Sequence, residues 1–215
     1  MKFINYTFLS LIVFLLSSCS RSSLYSGDEK SMLAAEQAAK MENSCLVFRV
    51  PVQAGKIRYL KNALSNSQLT PAKTTSLKSQ LASTIKTNND YYALIRSGFT
   101  AHFDATQVYF VPDSLFKAFE GGKKDVFLNE NNQVDPTIQC LTDEYFLMIQ
   151  SEHAEQFLLV NKNGNRLDSP FPYKKNTFLP GFKRLLSKKK YMHNQIKWFN
   201  EKLIDLSFFH KKLKR

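Results

Sequence analysis

The sequence predicts a single α/β domain built on a mixed sheet, followed by a basic amphipathic C-terminal helix. Three observations carry this. Short β-type runs at 46–52, 108–111, 126–128, 145–149 and 157–160 are separated by stretches with helical spacing or turn residues. The connection between the first two runs contains helices, as a right-handed parallel crossover requires. From residue 174 onward the composition changes, with dense lysine and apolar residues set four and three apart.

In chain order, Met1-Lys2 supplies a short positive flank, and Phe3 to Leu16 is apolar apart from Asn5, Thr7 and Ser10. That run has the length of a signal-peptide apolar region and is too short for a membrane span. It ends in Leu16-Ser17-Ser18-Cys19, which resembles the lipobox of bacterial lipoproteins. The resemblance implies cleavage before Cys19, diacylation of its thiol and acylation of the new amino group. The alternative is an ordinary secretory signal that contains a cysteine. Each buried methylene contributes about 0.8 kcal/mol, so two or three acyl chains would hold the chain firmly on a membrane. Ser20 is not the aspartate that retains many such proteins in the inner membrane, which points to the outer membrane of a bacterial envelope. Arg21 argues against the acidic patch that marks export to the cell surface.

Four segments follow: the signal at 1–18, a lipidated tether with a weak helix at 19–44, the α/β domain at 45–178 and the basic helix at 179–215. The tether is polar, from Ser20-Arg21-Ser22-Ser23 through Ser26 to Lys30. Ser31 to Asn43 has a weak apolar face and is expected to be a loosely held helix. Leu46 to Val52 is strand-like, with Pro51 near its end, and Lys56 to Ala63 is helical in composition. Thr70-Pro71 makes a good helix start. From there Leu77, Leu81, Ile85, Tyr92, Ile95, Phe99 and Phe103 mark a long amphipathic helix, loosened around Asn88-Asn89.

Val108 to Val111 reads as a buried central strand. Pro112-Asp113-Ser114 ends it and caps a short helix, which Gly121-Gly122 stops. The remaining runs, 126–128, 145–149 and 157–160, are expected to form an antiparallel set. Asn163-Gly164 supplies a tight turn to Arg166-Leu167, and 170–173 is expected to be extended. The order is similar to that of thioredoxin-like folds, an order that many mixed sheets share.

A further resemblance rests on Ala101-His102-Phe103-Asp104, Val108-Tyr109-Phe110, Phe127-Leu128-Asn129 and Pro170-Phe171-Pro172-Tyr173. With the basic terminal helix, these resemble a family of Bacteroidetes proteins over roughly residues 45–205. That family carries Cys-Pro before its central strand, where this chain has Ala105-Thr106-Gln107, so the resemblance implies no thiol chemistry there and transfers no catalytic residue.

No motif announces catalysis. Cys45 and Cys140 remain once Cys19 is lipidated; they are far apart, form no Cys-x-x-Cys, and an exported chain permits either a structural disulfide or, the commoner case, two buried unpaired thiols. His102, His153, His193 and His210 form no metal-spaced cluster. His102 and Asp104, two apart, would point away from each other on a helix, and Glu152-His153 is expected in a hairpin loop. Seven glycines leave little room for a phosphate loop, and no Gly-x-Ser-x-Gly elbow occurs. No cofactor is expected.

The charge is more informative. Residues 174–215 hold 13 of the 30 Lys and Arg but only Glu201 and Asp205 of the 18 acidic residues, so the net +12 resides almost wholly there. Met192, Ile196, Phe199, Leu203, Leu206, His210 and Leu213 make the apolar stripe, with Trp198, Ile204, Phe208 and Phe209 adding apolar mass. Three readings stay open: the stripe packs on the sheet with its lysines merely solvated; the basic face docks on anionic lipid; or an envelope protein takes the stripe as partner. Contact residues for the latter two are Lys188, Lys189, Lys190, Lys197, Trp198, Lys211 and Lys212. Nucleic acid is not expected as a partner of an exported chain. The function class is therefore a lipid-anchored, non-enzymatic binding or structural module, with an exported enzyme using a loop-built site as the alternative.

Overall fold

The computed structural model describes residues 27–66, 68–140, 142–150, 157–167, 170–171 and 187–215. The signal with Cys19, Glu152-His153, Pro172-Tyr173 and the helix start expected at 179 lie outside the described residues. The described elements run α1 (Glu29–Glu42), β1 (Cys45–Val50), α2 (Ala54–Leu64), α3 (Pro71–His102), β2 (Gln107–Pro112), a 3-10 turn (Asp113–Leu115), α4 (Phe116–Glu120), β3 (Tyr145–Gln150), β4 (Phe157–Asn161) and α5 (Lys188–Leu213).

The sheet order is β2-β1-β3-β4, with β1 parallel to both neighbours and β4 antiparallel to β3. Every residue of β1 except Arg49 is buried, because layers cover both faces. Leu46, Phe48 and Val50 point to a larger core closed by α1, α3 and α5. Cys45 and Val47 point the other way, to a smaller core with Tyr109, Val111, Leu147, Phe116 and Phe127. This period-2 split is what a strand covered on both sides requires.

Several expectations change. The apolar run at 108–111 is an edge strand, not a central one. Its outer side is closed by the segment around Val126 to Leu128, whose Leu128 N–H donates to the Phe110 carbonyl at 2.8 Å. That segment forms only an isolated bridge, Leu128 to Val134, so the strand expected at 126–128 is instead a cover for the β2 edge. β3 joins β1 in parallel rather than opening an antiparallel set, and only β4 is reversed. The turn after β4 is as the sequence predicts: Gly164 has φ +77°, its N–H donates to the Asn161 carbonyl, and Arg166 bridges back to Val160.

The helices follow their local signals. Asp28 caps α1 by accepting from the Ser31 N–H at 2.7 Å, and Thr70 and Ser187 cap α3 and α5 in the same way. α1 is not loosely held: Ala34, Ala35, Ala38 and Met41 are buried in the larger core. Its small side chains give a weak hydrophobic signal but allow a close approach to α5. α3 runs unbroken through Asn88-Asn89, because the Asn88 amide finds partners outside the helix. α5 is tied down by Asn200, whose Oδ1 accepts from the Asp104 and Ala105 N–H groups at 3.0 Å each and whose Nδ2 donates to the Asp104 carboxylate.

Candidate functional site

The stripe expected on α5 is structural over most of its length. Met192, Ile196, Phe199, Leu203 and Leu206 are buried against α1, α3 and the sheet, while Leu213 is exposed and His210 half-buried. The opposite face carries Lys190, Lys197, Ile204, Phe208 and Lys212 at spacings of four or seven, all exposed. Phe208 is 59 % exposed and has the Lys212 ammonium 5.0 Å from its ring centre. The contact residues expected from the sequence divide accordingly. Lys189, Lys190, Lys197 and Lys212 are exposed, Lys212 beside Phe208, while Lys188 stacks over Tyr91 at 5.9 Å. Lys211 pairs with Glu42 at 2.9 Å. Trp198 is half-buried against the larger core, so the outward aromatic is Phe208 instead.

Glu42 locks α1 to α5. Burial opposes ionisation of its carboxyl, but hydrogen bonds from Ser207 and Lys211 and the Lys211 charge outweigh it and hold the group below the usual glutamate range.

Cys45 and Cys140 form a disulfide with Cα atoms 6.1 Å apart, which settles the choice between bridge and free thiols. It ties the start of β1 to the long connection between β2 and β3. Cys45 is buried, so the bridge occupies a structural position under the smaller core.

The histidines include one pairing the sequence did not reveal. His102 on α3 and His193 on α5 lie with ring centres 5.2 Å apart, and His193 Nε2 is 3.1 Å from Ser97 Oγ. Ser97 Oγ donates to the Leu94 carbonyl at 3.0 Å, which leaves its lone pairs for the Nε2–H tautomer of His193. Burial first, then the neighbouring His102 and Lys189 charges, hold the His193 imidazole below the ordinary histidine range. A group kept neutral by the fold costs nothing above the unfolded pKa of about 6.5 and weakens the fold as pH falls below it. His193→Gln, which keeps a donor for Ser97, is therefore expected to flatten the loss of urea stability between about pH 7 and pH 5; an undiminished loss would assign that slope to other groups.

A second feature lies outside the carboxyl ends of β1 and β2. It is a cavity of ≈ 570 Å³ between α2, α3 and the loop around Asn132. Asn88, 6 % exposed, accepts from Gln53 Nε2 at 2.8 Å and donates to the Val52 carbonyl, holding the left-handed Gln53 (φ 49°) at the start of α2. Asn89 accepts from Asn132 Nδ2 at 2.7 Å. Arg58 and Lys61 of α2 stand on the rim; among the described residues no lining side chain is acidic, although the Asp113 carboxylate accepts from the N–H of the lining Val52 at 3.3 Å. In the sequence the Asn88-Asn89 doublet reads only as a weak point in a helix. No family model, curated protein or solved structure matches the chain. The geometry of these two surfaces therefore carries the functional argument.

Proposed function

We propose that the chain is a lipid-anchored protein of the bacterial cell envelope, a non-enzymatic binding module carried with the outer stripe of α5 against an anionic lipid surface. The observation that carries this reading is the exposed alternation of lysine with Ile204 and Phe208 on a helix whose inner face is already satisfied by the core. Basic residues with interleaved apolar side chains suit the headgroup boundary. Helix stability does not explain Lys189 and Lys190: with Lys188 they open α5 with no acid in the first turn, the wrong sign for the positive end of the helix dipole.

Position supports the same reading. Cys19 precedes the α1 cap Asp28 by a stretch that spans at most about 30 Å when extended. α1 packs along α5 through the buried alanines and the Glu42 lock, so a lipid on Cys19 would keep α5 close to the bilayer. Weak attraction then acts at high effective concentration. The disulfide supports an oxidising compartment, and Ser20 favours the outer membrane.

Two measurements test the proposal. Mass spectrometry of the protein from native membranes is expected to give an acylated N-terminal peptide beginning at Cys19, absent from Cys19→Ala. A chain beginning at Ser20, without signal or lipid, is expected to float with vesicles of phosphatidylglycerol and phosphatidylcholine but not with phosphatidylcholine alone, and to detach as salt rises. Each basic residue near such a surface contributes about 1 kcal/mol, so reversing Lys190 and Lys197 to Glu should weaken binding roughly thirtyfold or more. Equal flotation with neutral and anionic vesicles, or an unmodified N-terminus, would overturn the reading.

A further inference from the structure

We propose that residues 136–140 are a redox-sensitive strap. The bridge to Cys45 holds them over the amino end of β1, and its reduction by a dithiol releases them while the sheet and its long helices stay folded. This inference does not depend on how the protein meets a membrane.

Little else holds the strap. Thr137 gives its N–H and its hydroxyl to the Asp135 carboxylate at 2.9 and 2.6 Å, and the Ile138 N–H donates to the Asp135 carbonyl at 3.2 Å. These bonds are local, and among the described residues no hydrogen bond joins 136–140 to a strand. Pro136, Thr137 and Gln139 are exposed; Ile138 and Cys140, both half-buried, are the residues that pack on the smaller core. Two half-buried side chains are a small gain against the entropy of ordering five residues.

The chain on either side is fixed without the bridge. The Asp135 N–H donates to the Phe127 carbonyl at 2.9 Å, and Val134 bridges to Leu128, which is bonded to β2. On the other side the Glu144 carbonyl accepts from the Cys45 N–H at 3.3 Å, where β3 begins its pairing with β1. The larger core under α1, α3 and α5 contains neither cysteine. Opening therefore stays local, as in other segments with few buried contacts between firmly held ends.

Access sets the order of the chemistry. Cys45 is 3 % exposed and Cys140 half-buried, so the thiolate of a dithiol attacks Cys140 Sγ. The S–S bond breaks, Cys45 leaves as a thiolate and takes a proton, and a mixed disulfide joins Cys140 to the reagent. The second thiolate of the reagent then attacks the reagent's own sulfur in that bond and displaces Cys140, which is protonated in turn. The bridge gains two electrons and two protons, and the dithiol is oxidised to its disulfide.

The test is hydrogen exchange, read by mass spectrometry, of the chain beginning at Ser20 with and without dithiothreitol and no denaturant. Over the first minutes, exchange at 137–140 is expected to rise at least tenfold on reduction, with α1, α3 and α5 still protected, and to return on reoxidation with oxidised glutathione. In the reduced chain iodoacetamide should alkylate Cys140 at least tenfold faster than Cys45. Cys140→Ser is expected to exchange like the reduced wild type whether or not dithiothreitol is present; if it fails to fold, wild type reduced and alkylated at Cys140 replaces it. Unchanged exchange at 137–140 after complete reduction overturns the proposal. So does early loss of protection in α1, α3 and α5 together with the strap, or a bridge that dithiothreitol does not reduce in the folded chain.

Discussion

Replacing Cys45 and Cys140 together by serine is expected to lower the unfolding free energy by about 4–5 kcal/mol. The bridge spans 95 residues of sequence, and closing a loop of that length removes roughly that much entropy from the unfolded chain. Against the 5–15 kcal/mol that holds a typical domain together, the loss is large. It falls on the weaker layer. The helical face of the sheet is covered by three long helices, whereas the opposite face is covered by the five-residue α4, a 3-10 turn and irregular chain. The Leu128 N–H bonds one end of that cover to β2, and the covalent tie from Cys140 to β1 holds the other end on the sheet. The measurement is urea unfolding with and without reductant. The wild type should lose stability when reduced and the double variant should not respond; coincident wild-type curves in both conditions would remove the bridge from the account.

Phe48→Ala is expected to cost about 3–5 kcal/mol, the range for removing a fully buried aromatic ring. Phe48 is wholly buried at the centre of β1, and its ring centre lies 5.5 Å from Phe99, 6.0 Å from Phe110 and 6.2 Å from Phe157. One ring thus joins a helix, the β2 edge and the antiparallel β4, and no neighbour can collapse into its place without breaking another contact. Tyr59→Ala on α2, where the side chain is 68 % exposed, is the matched control and should stay within about 0.5 kcal/mol. A Phe48→Ala cost below about 1 kcal/mol in urea unfolding would mean that the three layers do not meet at this ring.

Much of the secondary structure was legible because its signals are local. Thr70-Pro71 starts a helix wherever it folds, since a hydroxyl cap and a proline in the first turn need no partner from elsewhere. Asn163-Gly164 turns the chain for the same kind of reason, with Gly164 taking the positive φ. The Val108 to Val111 run misled because an apolar strand looks the same whether a neighbouring strand or an irregular segment covers its edge. Asn88-Asn89 misled because a polar doublet weakens an isolated helix, while here Asn88 is paid back by Val52 and Gln53, 36 and 35 residues away.

The candidate cavity was not legible for a related reason. Its parts, Arg58, Asn89 and Asn132, come from three separate stretches of chain, and none belongs to a motif. The pairing of His102 with His193 is likewise a product of α3 packing against α5. On α5 itself the sequence showed one apolar stripe and many lysines, and could not tell which side met the core.

By itself the sequence determined the mixed α/β class, the helix start at Thr70-Pro71, the tight turn and the concentration of positive charge at the C-terminus. These rest on backbone preferences and on periodicities of two and 3.6 residues, which are properties of neighbours in the chain. Tertiary structure alone decided the strand order, the bridge from Cys45 to Cys140, the outward face of α5 and the cavity at Asn132. Each of those depends on which distant segment displaces water from a given side chain, and that is settled only when the layers close on the sheet.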